Sequence, residues 1–139
     1  MNDTIAARIR RIREDMDAAA RRSGRPAGAV RLMAVTKTVD DGRIREAIAA
    51  GIDILGENYV QEAKRKIEQM GKTVGWHFIG RLQTNKAKYA VKLFDLIHSV
   101  DRIELAEEID RRAVALDLVV PVLIEVNAAG EVSKSGVPL

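Results

Sequence analysis

Arg31–Asp41, RLMAVTKTVDD, opens with a short apolar run, Leu32 to Thr36, and delivers Lys37 where the run turns polar. Five apolar-rich residues bounded by polar ones are the length of a strand and too few for a helix. Runs of the same kind recur downstream at a steady interval. They are IDILGE from Ile52, WHFIG from Trp76, LIHSV from Leu96 and VPVLIEV from Val120. That interval is about one βα unit. Between the runs the apolar spacing changes to that of helices: Ile44, Ala47 and Ile48, then Val60, Ala63, Ile67 and Met70. Gly51 and Gly71 stand where these helices should stop. A shorter helix is expected over Lys86–Leu93. Asp101 with Glu104 reads as a capping box before Leu105, Ile109, Ala113 and Leu116. Upstream of everything, Ile5, Ile9, Ile12 and Met16 mark an additional amino-terminal helix that Gly24 and Pro26 end.

Strands alternating with helices imply a parallel sheet with right-handed crossovers, either an open doubly wound sheet or a barrel. No G-x-G-x-x-G opens a helix and no Walker-type glycine loop is present, so the phosphate cradles of open sheets are missing. The barrel is therefore expected. A complete barrel needs at least about 200 residues and eight strands. The fold class that follows is α/β: an incomplete (β/α)8 TIM-type barrel of about five parallel strands with outer helices and an extra N-terminal helix. It should form a single domain over residues 1–139.

Composition narrows the function. The chain has 47% hydrophobic and 31% charged residues, enough for one core and too polar locally to span a membrane. It has no cysteine, which removes disulfides and thiolate metal sites. The amino terminus, MNDTIAARIRRIRE, has no secretory apolar core and is followed closely by acidic residues. A cytoplasmic setting is expected. Net charge is +3, from 23 basic against 20 acidic residues with the signs interspersed, and aromatics are 4% of the chain. Nucleic-acid readers concentrate basic charge beside stacking aromatics, so no nucleic-acid partner is expected.

The carboxyl ends of parallel barrel strands carry the reactive groups, and a lysine there can hold an aldehyde cofactor as an imine. Most lysines do no such chemistry, so Lys37 needs support from elsewhere. Four segments supply it: AVTKT with Lys37, GENYVQEAKRK from Gly56, WHFIGRLQTNKAK from Trp76, and HSVDR from His98. In order and spacing they resemble the pyridoxal phosphate homeostasis protein family, whose fold is like the amino-terminal barrel of alanine racemase. The resemblance covers essentially the whole chain, as far as SKSG near its end.

The resemblance implies a pyridoxal 5'-phosphate cofactor joined to the lysine that ends the first strand, which is Lys37. An attacking amine must be neutral, so desolvation at the barrel mouth is expected to disfavour the ammonium form. Asn58, after the second strand, either contacts the cofactor or caps the following helix. His77 alternates with Trp76 and Phe78 and so faces the other way, under the cofactor ring if that face is the barrel interior. The alternative is a histidine satisfied by a buried partner. Of the pair His98 and Ser99 closing the fourth strand, Ser99 is taken as the inward residue. Thr84 and Asn85 are placed to cap the next helix, in a loop that is a recurring family signature. Glu125 and Asn127 finish the fifth strand. By resemblance to barrel racemases, Lys134 in the following loop is a basic residue near the cofactor.

Members of the family continue to a serine-containing segment and a late arginine-glycine segment that hold the cofactor phosphate, and neither occurs in these 139 residues. Without those donors, affinity should fall by several kcal/mol at about 1.5–3 kcal/mol per charged hydrogen bond. Self-association or a companion fragment is expected to complete the barrel, because an open edge after strand five leaves backbone groups unpaired. The function implied is pyridoxal phosphate binding and homeostasis of vitamin B6 and amino acids, without catalytic turnover. Amino acids are the other expected ligands. One alternative is a pyridoxal phosphate-dependent racemase or aldolase, although a racemase of this fold is expected to need a second base from a separate β domain, which is not among these 139 residues. The other is an interaction protein that has lost cofactor binding.

Overall fold

The apolar runs form five parallel strands, β1 (Ala34–Val35), β2 (Ile54–Glu57), β3 (Gly75–Phe78), β4 (Leu96–Val100) and β5 (Val122–Ile124). In the computed structural model, which describes residues 3–139, they lie side by side in chain order. Each connection is helical: α2 (Asp41–Ala49), α3 (Val60–Met70), α4 (Ala87–Leu93) and α5 (Ile103–Val114). A parallel sheet wound in sequence order with a helix after each of four strands is the first part of a barrel wall. The fold class read from the sequence is the observed one.

The core lies between the sheet and its helices. Leu55, Trp76, Phe78 and Ile97 point into it from the strands and meet Ile44, Ala63, Ala90, Leu105 and Ile109 from the helices. Trp76 is fully buried, with its indole N–H donating to the Gly71 carbonyl at 3.2 Å. Its polar edge is thereby satisfied inside an apolar layer. Gly51 and Gly71 do follow helices, at φ +94° and +74°, conformations that glycine reaches without a Cβ clash.

The amino-terminal helix α1 (Ile5–Arg22) is capped by Thr4, whose hydroxyl accepts from the Ala7 N–H at 3.2 Å. It packs against α2, and Arg13 donates to the Gly51 carbonyl at 2.6 Å. Its apolar stripe is only partly covered: Ile9 is buried, whereas Ile12 remains exposed.

Three local expectations are corrected. The Asp101–Glu104 capping box does not form, because the Asp101 carboxylate accepts instead from the Arg102 guanidinium at 2.6 Å and Arg102 becomes an N-cap with no side-chain bond. Thr84 and Asn85 do not cap a helix. They lie in a 3-10 turn, Thr84–Lys86, that runs straight into α4, and the Thr84 hydroxyl accepts from Arg102 at 3.2 Å. The fifth strand does not run unbroken to Asn127. It stops at Ile124, and β6 (Val126–Asn127) pairs with β7 (Val137–Pro138) in a separate two-stranded sheet. Glu125 is the pivot: its N–H still bonds the Val100 carbonyl at 2.9 Å, while its own carbonyl accepts from Val137 at 2.9 Å. Backbone groups beyond β5 are thus partly satisfied by the chain's own tail.

Candidate functional site at the carboxyl ends of the strands

Strand register defines the face away from the helices. Val35 pairs with Gly56, Gly56 with His77, and His77 with Leu96, which makes one row across four strands. Two residues further on, alternation returns to the same face. On β4 that residue is His98, while Asn58 and Ile79 come one residue past the ends of β2 and β3, and Lys37 two residues past the end of β1. The ladder closes just before them: the Thr36 N–H bonds the Gly56 carbonyl at 3.0 Å and the Ile79 N–H the Glu57 carbonyl at 2.9 Å, the last bonds of the pairs Val35–Gly56 and Glu57–Phe78. Met33 and Ile79 pack over Gly56, where a Cβ would lie 3.0 Å from the Met33 sulfur and 3.2 Å from Ile79 Cδ1.

Lys37 leaves β1 two residues after its end and is exposed. The desolvation expected at a barrel mouth is therefore not supplied by the described residues. Asn58 does not cap α3. Tyr59 occupies the N-cap without a side-chain bond, and Asn58 Oδ1 is buried with no partner. His77 meets His98 across adjacent strands, Nδ1 to Nε2 at 3.0 Å, so one ring donates and the other accepts. Burial pushes both imidazoles below their ordinary pKa. For His77 the neighbouring His98 and Arg31 add to the effect, while Asp95 opposes it.

His98, rather than Ser99, shares the face with His77. Alternation turns Ser99 to the other side of β4, where it is buried and its hydroxyl has no partner. Lys134 lies in the exposed loop between β6 and β7, after the strand at the far side of the sheet from β1. The fold does not bring it beside Lys37 within these residues. A cleft of about 1030 Å³ is lined by Asn58, Gln61, Arg81, Thr84, Lys86 and Arg102 among others. Of the residues singled out from the sequence as cofactor contacts, Asn58 alone lines it. Among the described residues no group of three or more side chains is arranged to hold a metal ion.

Sequence reasoning missed the group behind Lys37. Thr36 and Glu57 turn toward the helices and meet Lys66 of α3, a lysine with no exposed surface. Its ammonium reaches the Thr36 carbonyl at 2.5 Å, Glu57 Oε1 at 2.7 Å and Glu62 Oε1 at 2.8 Å. The Thr36 hydroxyl donates to Glu57 Oε1 at 2.5 Å. A signal existed: position 66 lies three residues after Ala63 and four before Met70, on the apolar face of the helix.

A family model described as alanine racemase, N-terminal domain, matches residues 7–139. The chain is 46% identical over 131 residues to the pyridoxal phosphate homeostasis protein of Aquifex aeolicus, covering 94% of this chain and 58% of that one. A crystal structure from Bifidobacterium adolescentis matches with TM-score 0.89 and 42% identity, over 96% of this chain and 58% of that chain. PipY of Synechococcus elongatus PCC7942, solved with PLP bound, matches with TM-score 0.77 and 39% identity over 96% of this chain and 57% of that chain. The chain thus spans somewhat under two thirds of the length of these proteins. With the family match, the shared partial barrel and these identities together, the chain belongs to the alanine racemase N-terminal domain family and corresponds to the amino-terminal portion of pyridoxal phosphate homeostasis proteins.

Proposed function

We propose that this chain binds pyridoxal 5'-phosphate through Lys37 and serves cofactor homeostasis as a carrier, without turnover. One observation carries the reading: Lys37 and Asn58 stand within two residues of the carboxyl ends of the neighbouring strands β1 and β2, and Asn58 keeps a buried side-chain oxygen without a partner. A relative of the same fold has been solved with PLP bound.

The residues present fit the aldehyde and ring portions of the group. The Lys37 amine is exposed and reachable. Asn58 offers a buried acceptor that lacks a partner, which a ligand donor would satisfy. On the same side of the sheet the paired imidazoles of His77 and His98 offer flat surfaces for a planar ring. When bound, the cofactor supplies an electrophilic aldehyde carbon. Lys37 in its neutral form adds to that carbon, and water leaves as the C=N bond forms. A carrier requires nothing further, since the reverse addition of water releases the cargo. Ser99 and Lys134 have a weaker claim, the first turned to the helix side and the second four strands away.

The test is incubation with pyridoxal phosphate, reduction with borohydride and mapping of the adduct by mass spectrometry. The expected site is Lys37. In Lys37→Ala the adduct should disappear while stability changes by less than about 0.5 kcal/mol, as for other exposed side chains. Labelling spread evenly over surface lysines would overturn the proposal, and racemic product from an L-amino acid would overturn the absence of turnover.

A further inference from the structure

We infer that Glu62 and Lys66 of α3 act as a positioning latch for Lys37, clamping the backbone on both sides of it. The inference rests on the proposed role of Lys37 and deepens it. The carbonyl of Thr36, immediately before Lys37, accepts from the Lys66 ammonium at 2.5 Å. The N–H of Thr38, immediately after it, donates to Glu62 Oε1 at 2.7 Å. Glu62 Oε1 in turn lies 2.8 Å from Lys66, one helical turn away. One helix therefore grips residues 36 and 38 and leaves residue 37 pointing outward.

The gripped turn is strained. Thr38 has φ +61°, a left-handed backbone that is costly for a β-branched residue. The turn is closed by the Val39 N–H on the Thr36 carbonyl at 3.1 Å, and the Thr38 hydroxyl donates to the Lys37 carbonyl at 2.6 Å. Such a conformation persists where the surroundings over-determine it, and such sites cluster where a reactive group must be presented. Stability gives a weaker account of the buried cation, because replacing a buried ion pair with apolar side chains is often neutral or favourable. Lys66 spends all three of its donors on this one corner: Thr36, Glu57 and Glu62. Glu57 meanwhile keeps one carboxylate oxygen buried without a partner. Electrostatic specificity of this kind fixes geometry rather than adding net stability.

Three variants of the 139-residue chain separate positioning from folding. Glu62 is partly exposed, so Glu62→Ala should fold while losing the acceptor for Thr38, and Glu62→Gln should keep it. The double variant Glu57→Leu with Lys66→Met removes the fully buried pair together, and the Glu62 carboxylate it leaves behind is partly exposed. Two readouts are taken: hydrogen exchange at the Thr38 amide, which needs no cofactor, and the share of borohydride-trapped pyridoxal phosphate found on Lys37. Glu62→Ala should speed Thr38 exchange about tenfold or more, the size expected for loss of a hydrogen bond to a charged acceptor, and lower the Lys37 share severalfold. Glu62→Gln should stay close to the parent in both, and the double variant, which frees the Thr36 carbonyl but keeps Glu62 on Thr38, should lower the Lys37 share severalfold while speeding Thr38 exchange less than Glu62→Ala does. The latch is overturned if Glu62→Ala leaves both readouts unchanged, or if Glu62→Gln fails as completely as Glu62→Ala. Absence of a Lys37 adduct in the parent would defeat the proposed cofactor role alone, and the Thr38 exchange contrast would still decide the latch.

Discussion

Strands β2 to β4 and strand β5 are neighbours in one parallel sheet and are written in the same apolar vocabulary, yet they end in opposite environments. Leu55, Trp76 and Ile97 have no exposed surface, whereas Val122, Leu123 and Ile124 are 40%, 49% and 69% exposed. The inner strands have a helix packed over one face and a strand on each side. β5 has β4 on one side and, past Glu125, the two-residue pairing of β6 with β7. Apolar composition and alternation specify a strand. Burial is conferred by neighbours, so equal hydrophobicity contributes unequally to stability.

The strongest way to break this comparison is Trp76→Ala, which empties a fully packed site and strands the Gly71 carbonyl. It should cost about 3–5 kcal/mol in urea unfolding. A cost below about 1 kcal/mol would mean that the inner layer is as loosely packed as the edge. An intermediate effect is expected on the helix-free face, where His77 and His98 are pushed below the ordinary imidazole value of 6.5. Between their folded values and 6.5 the unfolded chain holds more protons, so stability rises with pH across that window. Their contribution is complete above 6.5 and is lost as pH falls through the folded values. Glu62, held below its usual 4.5 chiefly by its bond to Lys66, adds a further loss at more acid pH in the same direction. The urea midpoint should therefore be lower at pH 5.5 than at pH 7.5. Replacing both histidines by phenylalanine should shrink that difference, and an unchanged slope would refute the assignment. The smallest effect belongs to Ile124→Ser, expected within about 0.5 kcal/mol in the same assay. A large loss there would show that β5 is covered in solution.

Much of the site was legible because it follows from alternation. His77 against Trp76 and Phe78 is a consequence of a side-chain period of two, and Lys37 follows from where its apolar run ends. The choice between His98 and Ser99 was not legible, because it depends on which register β4 takes against β3, and both residues suit a strand end. Asn58 was harder still. Its amide could cap α3 or stay free, and the outcome depends on Tyr59 beginning the helix one residue later. The capping box at Asp101 failed for a related reason: a guanidinium adjacent in sequence competes for the carboxylate more strongly than a backbone N–H does.

By itself the sequence determined the order of strands and helices, the class of fold, the family and the position of Lys37, since these rest on periodicity and local strings that neighbours do not alter. Tertiary structure alone decided that β5 stays exposed, that His98 joins His77, and that a buried lysine from α3 grips the turn carrying Lys37. Each of these joins residues from different elements, and their energies come from desolvation, register and charge pairing that exist only once the elements have packed.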